Sequence, residues 1–273
     1  MILANHGIVS SSGGVLYDAD ALAFITAASI TDNTQKTAVN TLVTDLKTYN
    51  IWTKMKALYP FVGGTASQHR FNLKDPRTVN AAFYLDFLGG GSHSNNGYQP
   101  NGTTAYADTK FTPSSVLTTS NIHISYYSRT DSVSGQMIGL QDDTVNNASQ
   151  IYLNADKTKD YYSALNNDAN SLQVFRSNTA AYYTVSRLTS TDLKAYKGAT
   201  QEGSNTASTT LYKANISLYL GGFNYRALGG ASSVFFGNKE CAFSSIGDGL
   251  TSTEVSNLYT AVQAYQTTLG RNV

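Results

Sequence analysis

The chain has 273 residues, of which 41% are hydrophobic, so it can bury a sizeable core and wholesale disorder is excluded. Only 14% of the residues are charged, and 19 Lys and Arg against 18 Asp and Glu leave a net charge of +1. Because there is no basic excess to neutralise a phosphate backbone, nucleic acid is excluded as a main partner.

The first part of the sequence predicts an arm followed by helices. Residues 1–16 are rich in Gly and Ser and aperiodic, which predicts an N-terminal arm. Residues 17–62 have a helical period, with Asp18 as the cap of a first helix and Asp32 as the cap of a second. Residues 52–59 are predicted to add a short helical turn that Pro60 ends. We expect this helical segment to pack on the rest of the molecule.

Residues 63–273 are predicted to form a β-sandwich that ends in a helix. Short alternating runs separated by Gly and Asn are typical of strands in two packed sheets. Near the end of the chain, Thr251 and Glu254 form a capping box, and Gly270 closes the helix that follows. The predicted strands are residues 82–88, 122–128, 136–140, 150–153, 182–187, 192–197, 216–220 and 240–246.

Four segments of this region resemble laminin-G-like and concanavalin-like domains. They are Asn101-Gly102-Thr103 before Tyr106, the hairpin strand at 193–198, the strand at 216–222, and the closing strand and helix start at 245–259. The resemblance implies a mainly β fold, a concanavalin-like jelly-roll β-sandwich with an N-terminal helical segment and a C-terminal capping helix.

Other segments are similar to proteins encoded by phages of Bacteroidetes bacteria. These segments are residues 18–30, 45–64, 71–77 and 266–271. The resemblance covers roughly 20–130 and 190–273, and it implies a virion structural or receptor-binding component: a tail fibre, a spike or a capsid decoration. The expected location is therefore the surface of the virion, with other virion proteins and a host cell-surface glycan as partners. Residues 131–190 carry no recognised likeness.

The composition also allows predictions about the oligomeric state, the cysteine and membrane or export segments. Low charge and a tyrosine-rich middle region favour self-association, and three-fold symmetry suits a fibre or spike, so we expect a homotrimer. The single cysteine, Cys241, excludes an internal disulfide and is expected to be a buried, inert thiol. No apolar run approaches the ~18 residues of a membrane span, and we expect neither membrane insertion nor a signal peptide.

Catalytic signatures are weak, so the sequence predicts a protein that is not an enzyme. Retaining glycoside hydrolases with this type of sandwich place two carboxylates on one strand face. This chain has three glutamates, Glu202, Glu240 and Glu254, and none has an acidic neighbour at the required spacing. There is no Gly-x-Ser-x-Gly elbow, and the four histidines are scattered singly. A secreted carbohydrate-binding module is the alternative, and a glycan-cleaving enzyme is disfavoured.

Two sets of residues are candidate binding sites. Asp142, Asp143 and Asn146 offer oxygen ligands in a loop, so calcium is the one cofactor considered, although such clusters are usually turns. Because adjacent tyrosines on a strand point to opposite faces, one member of each tyrosine pair is expected to be exposed as a platform for a sugar. The alternative is that these tyrosines pack between protomers or lie on edge strands without binding a ligand. The candidate ligand-binding residues are Tyr161, Tyr162, Tyr182 and Tyr183.

Overall fold

The computed structural model describes residues 9–10, 16–79, 81–117, 120–133, 135–143, 149–154, 160–166, 172–174, 178–207 and 213–273. In chain order the strands are β1 (Val9–Ser10), β2 (Leu16–Tyr17), β3 (Met55–Tyr59), β4 (Asp86–Leu88), β5 (Ser92–Ser94), β6 (Gly97–Gln99), β7 (Tyr106–Asp108), β8 (Ile122–Ser128), β9 (Gln136–Asp142), β10 (Ser149–Asn154), β11 (Asp160–Asn166), β12 (Leu172–Val174), β13 (Ala181–Arg187), β14 (Leu193–Lys197), β15 (Thr200–Asn205), β16 (Tyr219–Leu220), β17 (Gly222–Arg226), β18 (Ser232–Phe236) and β19 (Cys241–Gly247). The helices are α1 (Ala19–Ala27), α2 (Asn33–Thr48), α3 (Ala66–His69), α4 (Pro113–Val116) and α5 (Ser252–Thr268).

Two large sheets enclose the core. The covered sheet has the strand order β15-β14-β13-β8-β19-β6-β5, and β3 also pairs with β19. The open sheet has the order β12-β11-β10-β9-β16-β7-β4, and a further hairpin, β17–β18, is attached to β9. The predicted fold class, a mainly β, jelly-roll sandwich with N-terminal helices and a C-terminal helix, is confirmed.

The covered sheet is buried on both faces. Along β8, Ile122, Ile124 and Tyr126 point into the sandwich interior, where they join apolar residues of the open sheet. On the opposite face of β8, Tyr127 joins a second buried cluster that contains the apolar stripes of α1, α2 and α5. Because the helices have narrow apolar faces that need a partner, they lie on this sheet instead of extending into solvent.

The helix starts match the capping signals in the sequence. The side chain of Asp18 accepts a hydrogen bond from Asp20 N at 3.0 Å, and that of Asp32 accepts one from Gln35 N at 2.8 Å. Thr251 and Glu254 form the expected reciprocal capping box at α5. In the described part of the chain, no helix is long and apolar enough to cross a lipid bilayer.

The helical turn predicted over residues 52–59 is half wrong. Residues Trp52–Lys54 form one 3₁₀ turn, but Met55–Tyr59 is strand β3, paired with β19. Four of its five residues are buried, on both faces of the strand. A short run of this kind, apolar except for Lys56, fits a buried strand as well as a helix, and the edge beside β19 decides in favour of the strand.

The chain after α5 is fixed by a buried arginine. Arg271 is 1% exposed, and its guanidinium donates to four backbone carbonyls and one side-chain amide. These acceptors belong to β19, to the segment after β3, to the β5–β6 turn and to α5 itself. They are Ala242 O (2.9 Å), Pro60 O (2.7 Å), Phe61 O (2.8 Å), Asn95 O (2.9 Å) and Gln266 Oε1 (2.6 Å).

The open sheet divides at Gly139 in β9. Strand β16 pairs with β9 antiparallel, with Tyr219 opposite Gly139, and continues into β7 and β4. After Gly221, where φ is +73°, the chain reverses, and β17 pairs with β9 in parallel, with Phe223 also opposite Gly139. The positive φ favours glycine at this reversal. The sheet therefore has two branches, β16–β7–β4 and the β17–β18 hairpin, which begin at the same residue.

Candidate functional site

Four aromatic rings form a patch on the outer face of the open sheet. Tyr152 and Phe223 lie with ring centroids 5.7 Å apart, and Phe235 lies 6.0 Å from Phe223 and 6.2 Å from Tyr225. The ring of Phe235 is 51% exposed, and the other three side chains are partly exposed. We call Tyr152, Phe223, Tyr225 and Phe235 the aromatic platform.

The positions of the platform rings depend on the strand register and on a glycine, which has no side chain. Phe223 and Phe235 are direct cross-strand partners in β17 and β18, so their side chains stand on one face. Gly139 lies beneath them. A Cβ at this position would be 2.6 Å from Phe223 Cδ2 and 2.7 Å from Tyr152 Cβ, so these two rings meet only above a glycine.

A groove lies where the two branches of the open sheet separate, and we call it the branch groove. Its volume is about 580 Å³, within the range of small-ligand sites. One wall comes from β16 and the residues before it, and the other wall comes from the β17–β18 hairpin. The lining residues are Ile216, Ser217, Tyr219, Asn224, Ser232, Ser233, Val234 and Phe236.

The branch groove combines rings with uncharged polar groups. Tyr219 stacks on Tyr106 with centroids 4.4 Å apart and an interplanar angle of 24°. Asn224 Nδ2 donates to Ser217 O at 2.8 Å, which ties the two walls together. Rings beside hydroxyl and amide groups are suited to a ligand that has apolar faces and a polar edge, as a sugar ring has.

A carboxylate lies beside this groove. Asp108 in β7 is opposite Tyr219 in β16, and its Oδ2 is 3.4 Å from Ser217 Oγ. Burial raises the pKa of the Tyr219 phenol, and the neighbouring Tyr106 and Asp108 raise it further. Tyr219 is therefore neutral at physiological pH and can donate or accept a hydrogen bond.

Two of the tyrosines predicted to bind a ligand are not exposed. Tyr182 is 2% exposed and Tyr183 is 0% exposed, so the expectation that one of them offers a free ring is wrong. Tyr183 lies in the sandwich interior, and Tyr182 lies beneath Tyr259 of α5, with ring centroids 6.2 Å apart. The reason is that helices cover the outer face of this sheet. Tyr161 and Tyr162 are in β11, but their side chains lie outside the described residues.

The oxygen ligands considered for calcium have protein partners. Asp142 is 0% exposed and pairs with the guanidinium of Arg226, and Asn215 N donates to its Oδ2 at 2.9 Å. Asp143 accepts a hydrogen bond from the Tyr225 hydroxyl at 2.8 Å. Asn146 lies outside the described residues. Arg226 thus already supplies the positive charge that a metal ion would bring to Asp142.

The buried groups with catalytic chemistry are enclosed. His123 Nε2 lies 3.0 Å from Ser245 Oγ, which is the separation of a nucleophile and its base, but both residues are 0% exposed between the covered sheet and the helices. Burial lowers the pKa of His123 from 6.5 to about 4, so this imidazole is neutral. Cys241 is buried as expected, and burial raises the pKa of its thiol.

Two glutamates of the chain have structural partners. Glu254 caps α5 and pairs with Lys54 at 2.6 Å, and Glu240 pairs with Arg129 at 2.8 Å. Glu202 lies in β15 and so belongs to a different element from Glu240 and Glu254. These glutamates therefore do not form the same-face carboxylate pair of a retaining glycoside hydrolase.

Sequence reasoning missed the platform and the branch groove. Residues 222–236 do contain a pattern that predicts the hairpin. Phe223 and Tyr225 alternate with polar residues, a Gly-Gly pair follows, and two further aromatic residues, Phe235 and Phe236, come after it. This pattern is typical of a β-hairpin with one aromatic face. The strand prediction stopped at residue 220 and so omitted the hairpin.

Solved structures share the fold at very low sequence identity. The binding domain of botulinum neurotoxin DC, solved in complex with rat synaptotagmin II, gives a TM-score of 0.52 at 9% identity over 78% of this chain and 52% of that chain. Botulinum neurotoxin type C, whose cell entry is dependent upon interaction with two ganglioside molecules, gives 0.51 at 12% identity over 79% and 53%. A mutant of Trypanosoma rangeli sialidase that displays trans-sialidase activity gives 0.51 at 9% identity over 83% and 39%.

These likenesses establish the β-sandwich fold alone. This chain spans about half, or less, of the length of each of the three proteins. No protein-family model matches the sequence, and no curated protein is significantly similar to it.

Proposed function

We propose that this chain is a non-enzymatic glycan-binding domain, and that it attaches a phage virion to its host as part of a tail fibre, a spike or a capsid decoration. The observation that carries the proposal is the β17–β18 hairpin of the open sheet, which carries rings of the aromatic platform on one face and forms a wall of the branch groove with the other face. Stacking of a sugar on exposed rings and hydrogen bonding to serine and asparagine is the chemistry that this surface offers.

Two further observations support this proposal. Proteins with the same sandwich include the binding domains of toxins that engage a protein or gangliosides, so the fold is compatible with surface attachment. The segments at 18–30, 45–64, 71–77 and 266–271 resemble phage proteins. A secreted carbohydrate-binding module would use the same surface, and electron microscopy of antibody-labelled particles distinguishes the two, because only the virion protein is found on the phage.

The test of glycan binding is a comparison of variants in a host-cell adhesion assay. Phe235→Ala and Tyr219→Ala each remove a ring from the site, and we expect each to weaken binding about ten-fold. Tyr49→Ala is the matched control, because Tyr49 is a partly exposed tyrosine at the end of α2, on the opposite side of the molecule. Full binding by a folded Phe235→Ala, Tyr219→Ala double variant would contradict the proposal.

The proposed assembly is a homotrimer. Three copies would give weak single sites a high combined affinity for a glycan-coated surface. Light scattering of the purified chain and of the intact virion component should give three times the chain mass. A monomer in both samples would contradict this part of the proposal and leave the binding surface in place.

A further inference from the structure

The electrostatics of the branch groove point to the class of sugar that it takes. We infer that the groove binds uncharged sugar residues and discriminates against residues that carry a carboxylate or a sulfate. This inference deepens the proposed function and rests on it.

A row of residues, two of them acidic, crosses the outer face of the open sheet. Asp86 in β4 is opposite Asp108 in β7, and Asp108 is opposite Tyr219 in β16. Cross-strand partners have their side chains on the same face, and neighbouring strands are about 4.8 Å apart. Both carboxylates therefore lie within roughly 10 Å of the groove wall, about one Debye length at physiological salt.

Lys110 and Arg226, two positive charges of the same region, are paired with carboxylates other than Asp108. Lys110 Nζ lies 3.3 Å from Asp86 Oδ2, and Arg226 pairs with the buried Asp142. Asp108 accepts hydrogen bonds from neutral donors, Lys110 N at 2.7 Å and Ser217 Oγ at 3.4 Å. Among the described residues that line the groove, none is lysine or arginine. An anionic ligand would therefore meet the Asp108 carboxylate without a compensating cation from the described residues that line the groove.

The walls of the branch groove combine aromatic rings with uncharged polar side chains. The faces of aromatic rings carry partial negative charge, which suits the C–H faces of a pyranose and disfavours an anion. Ser217, Ser232 and Asn224 can exchange hydrogen bonds with sugar hydroxyl groups. A hydroxyl can also donate to the Asp108 carboxylate, which an ionised sugar carboxylate cannot do. The same groups thus favour neutral sugars and oppose acidic ones.

The test uses matched pairs of immobilised glycans: neutral oligosaccharides, and the same oligosaccharides carrying one sialic acid or one sulfate. We expect the wild-type chain to bind the neutral members at least ten-fold more tightly than their acidic counterparts. Asp108→Asn keeps an oxygen acceptor for Lys110 N and removes the charge. We expect it to strengthen binding of the acidic members several-fold and to weaken binding of the neutral members, because an amide oxygen is a weaker acceptor than a carboxylate. The ratio of the neutral to the acidic affinities should therefore fall. Asp45→Asn, on α2 and behind the covered sheet, is the matched control and should change neither.

Acidic members that bind as tightly as, or more tightly than, the neutral members would overturn the inference and leave the proposed function standing. Discrimination that persists unchanged in Asp108→Asn would overturn the role of this carboxylate. Failure to bind any glycan, together with host-cell binding that is unaffected by Phe235→Ala, would overturn the proposed function and the inference with it.

Discussion

Gly139 determines whether the rings of the aromatic platform can meet. It is the residue of β9 that faces Tyr152, Tyr219 and Phe223 on neighbouring strands. In a strand interior, glycine is usually unfavourable because it has no side chain to pack. Here the absent side chain is the space that Phe223 and Tyr152 occupy. A glycine inside a strand therefore marks a close approach of aromatic groups at this site.

We expect Gly139→Ala to destabilise the fold by about 1–3 kcal/mol, because the new methyl group forces Phe223 and Tyr152 off their positions. Equilibrium urea unfolding measures the change, and glycan binding should weaken in the same variant. Ser233→Ala, on the same hairpin but with no added bulk, should leave the unfolding midpoint unchanged. Equal stability of Gly139→Ala and the wild type would show that the platform is looser than the structure indicates.

Three histidines, His69 and His123, which are buried, and His93, which is partly buried, should make stability depend on pH. Burial lowers the pKa of His123 and of His93 to about 4, and burial together with His93 and Arg271 lowers that of His69 to about 3. Between pH 6.5 and 4 the unfolded chain binds protons that the folded chain does not. Stability is therefore fully present above pH 6.5 and is lost as the pH falls towards 4.

We expect His123→Gln to reduce this loss, because the variant lacks one of the groups that take up a proton on unfolding. The measurement is the free energy of unfolding by urea at a series of pH values, for the variant and the wild type. The slope of the unfolding free energy against pH reports the number of protons taken up on unfolding. Between pH 6.5 and 4 this number should be smaller in the variant by up to one. Parallel curves would mean that His123 does not contribute.

At the scale of elements, α5 and the residues after it connect distant parts of the chain. Arg271 reaches carbonyls on β19, after β3 and in the β5–β6 turn. A guanidinium presents five donors in a planar fork, and an ammonium has three donors around one point. Lysine at this position would therefore leave buried carbonyls without a donor.

Arg271→Lys should destabilise the protein by about 2–4 kcal/mol, because each buried carbonyl that loses its donor costs about 1–3 kcal/mol. Thermal and urea unfolding measure the effect. Arg77→Lys is the matched control, since Arg77 is an exposed arginine that pairs with Asp75, and its unfolding midpoint should not change. Similar effects of the two substitutions would contradict the role assigned to Arg271.

The elements differ in how far their sequences predict them. Caps at Asp18, Asp32 and Thr251 identify helix starts because a cap is a local interaction. Strand β8 agrees with the prediction in both bounds because its alternation is regular. Tyr182 is buried because helix α5 packs over it, and Met55–Tyr59 is a strand because β19 lies beside it. Both outcomes depend on tertiary contacts, which a local sequence pattern does not contain.

For the molecule as a whole, the covered sheet joins two cores. One face of β8 and β13 contributes to the sandwich interior, and the other face contributes to the cluster beneath the helices. Loss of either cluster would expose one face of the covered sheet, and the other cluster packs against the opposite face of the same sheet. The sandwich and its helices should therefore unfold together as one cooperative unit.

Deletion of residues 251–273 tests this cooperativity. We expect the truncated chain to lose its cooperative thermal transition or to unfold at a much lower temperature, because Tyr127, Tyr182 and Phe243 lose their cover. Differential scanning calorimetry of both chains is the measurement. A truncated chain that unfolds at the temperature of the full chain would show that the sandwich is independent of its helices.

The β17–β18 hairpin stands apart from this cooperative unit. None of its described residues from 222 to 236 belongs to either buried cluster, and the hairpin is joined to the sandwich by its pairing with β9. Substitutions at its exposed positions should therefore cost little folding free energy, whereas Arg226 is constrained because it pairs with the buried Asp142. Among related sequences, substitutions in the hairpin can therefore change which ligand is bound while the β-sandwich stays folded. Exchanging the hairpin between two relatives should transfer the ligand specificity of one chain to the other.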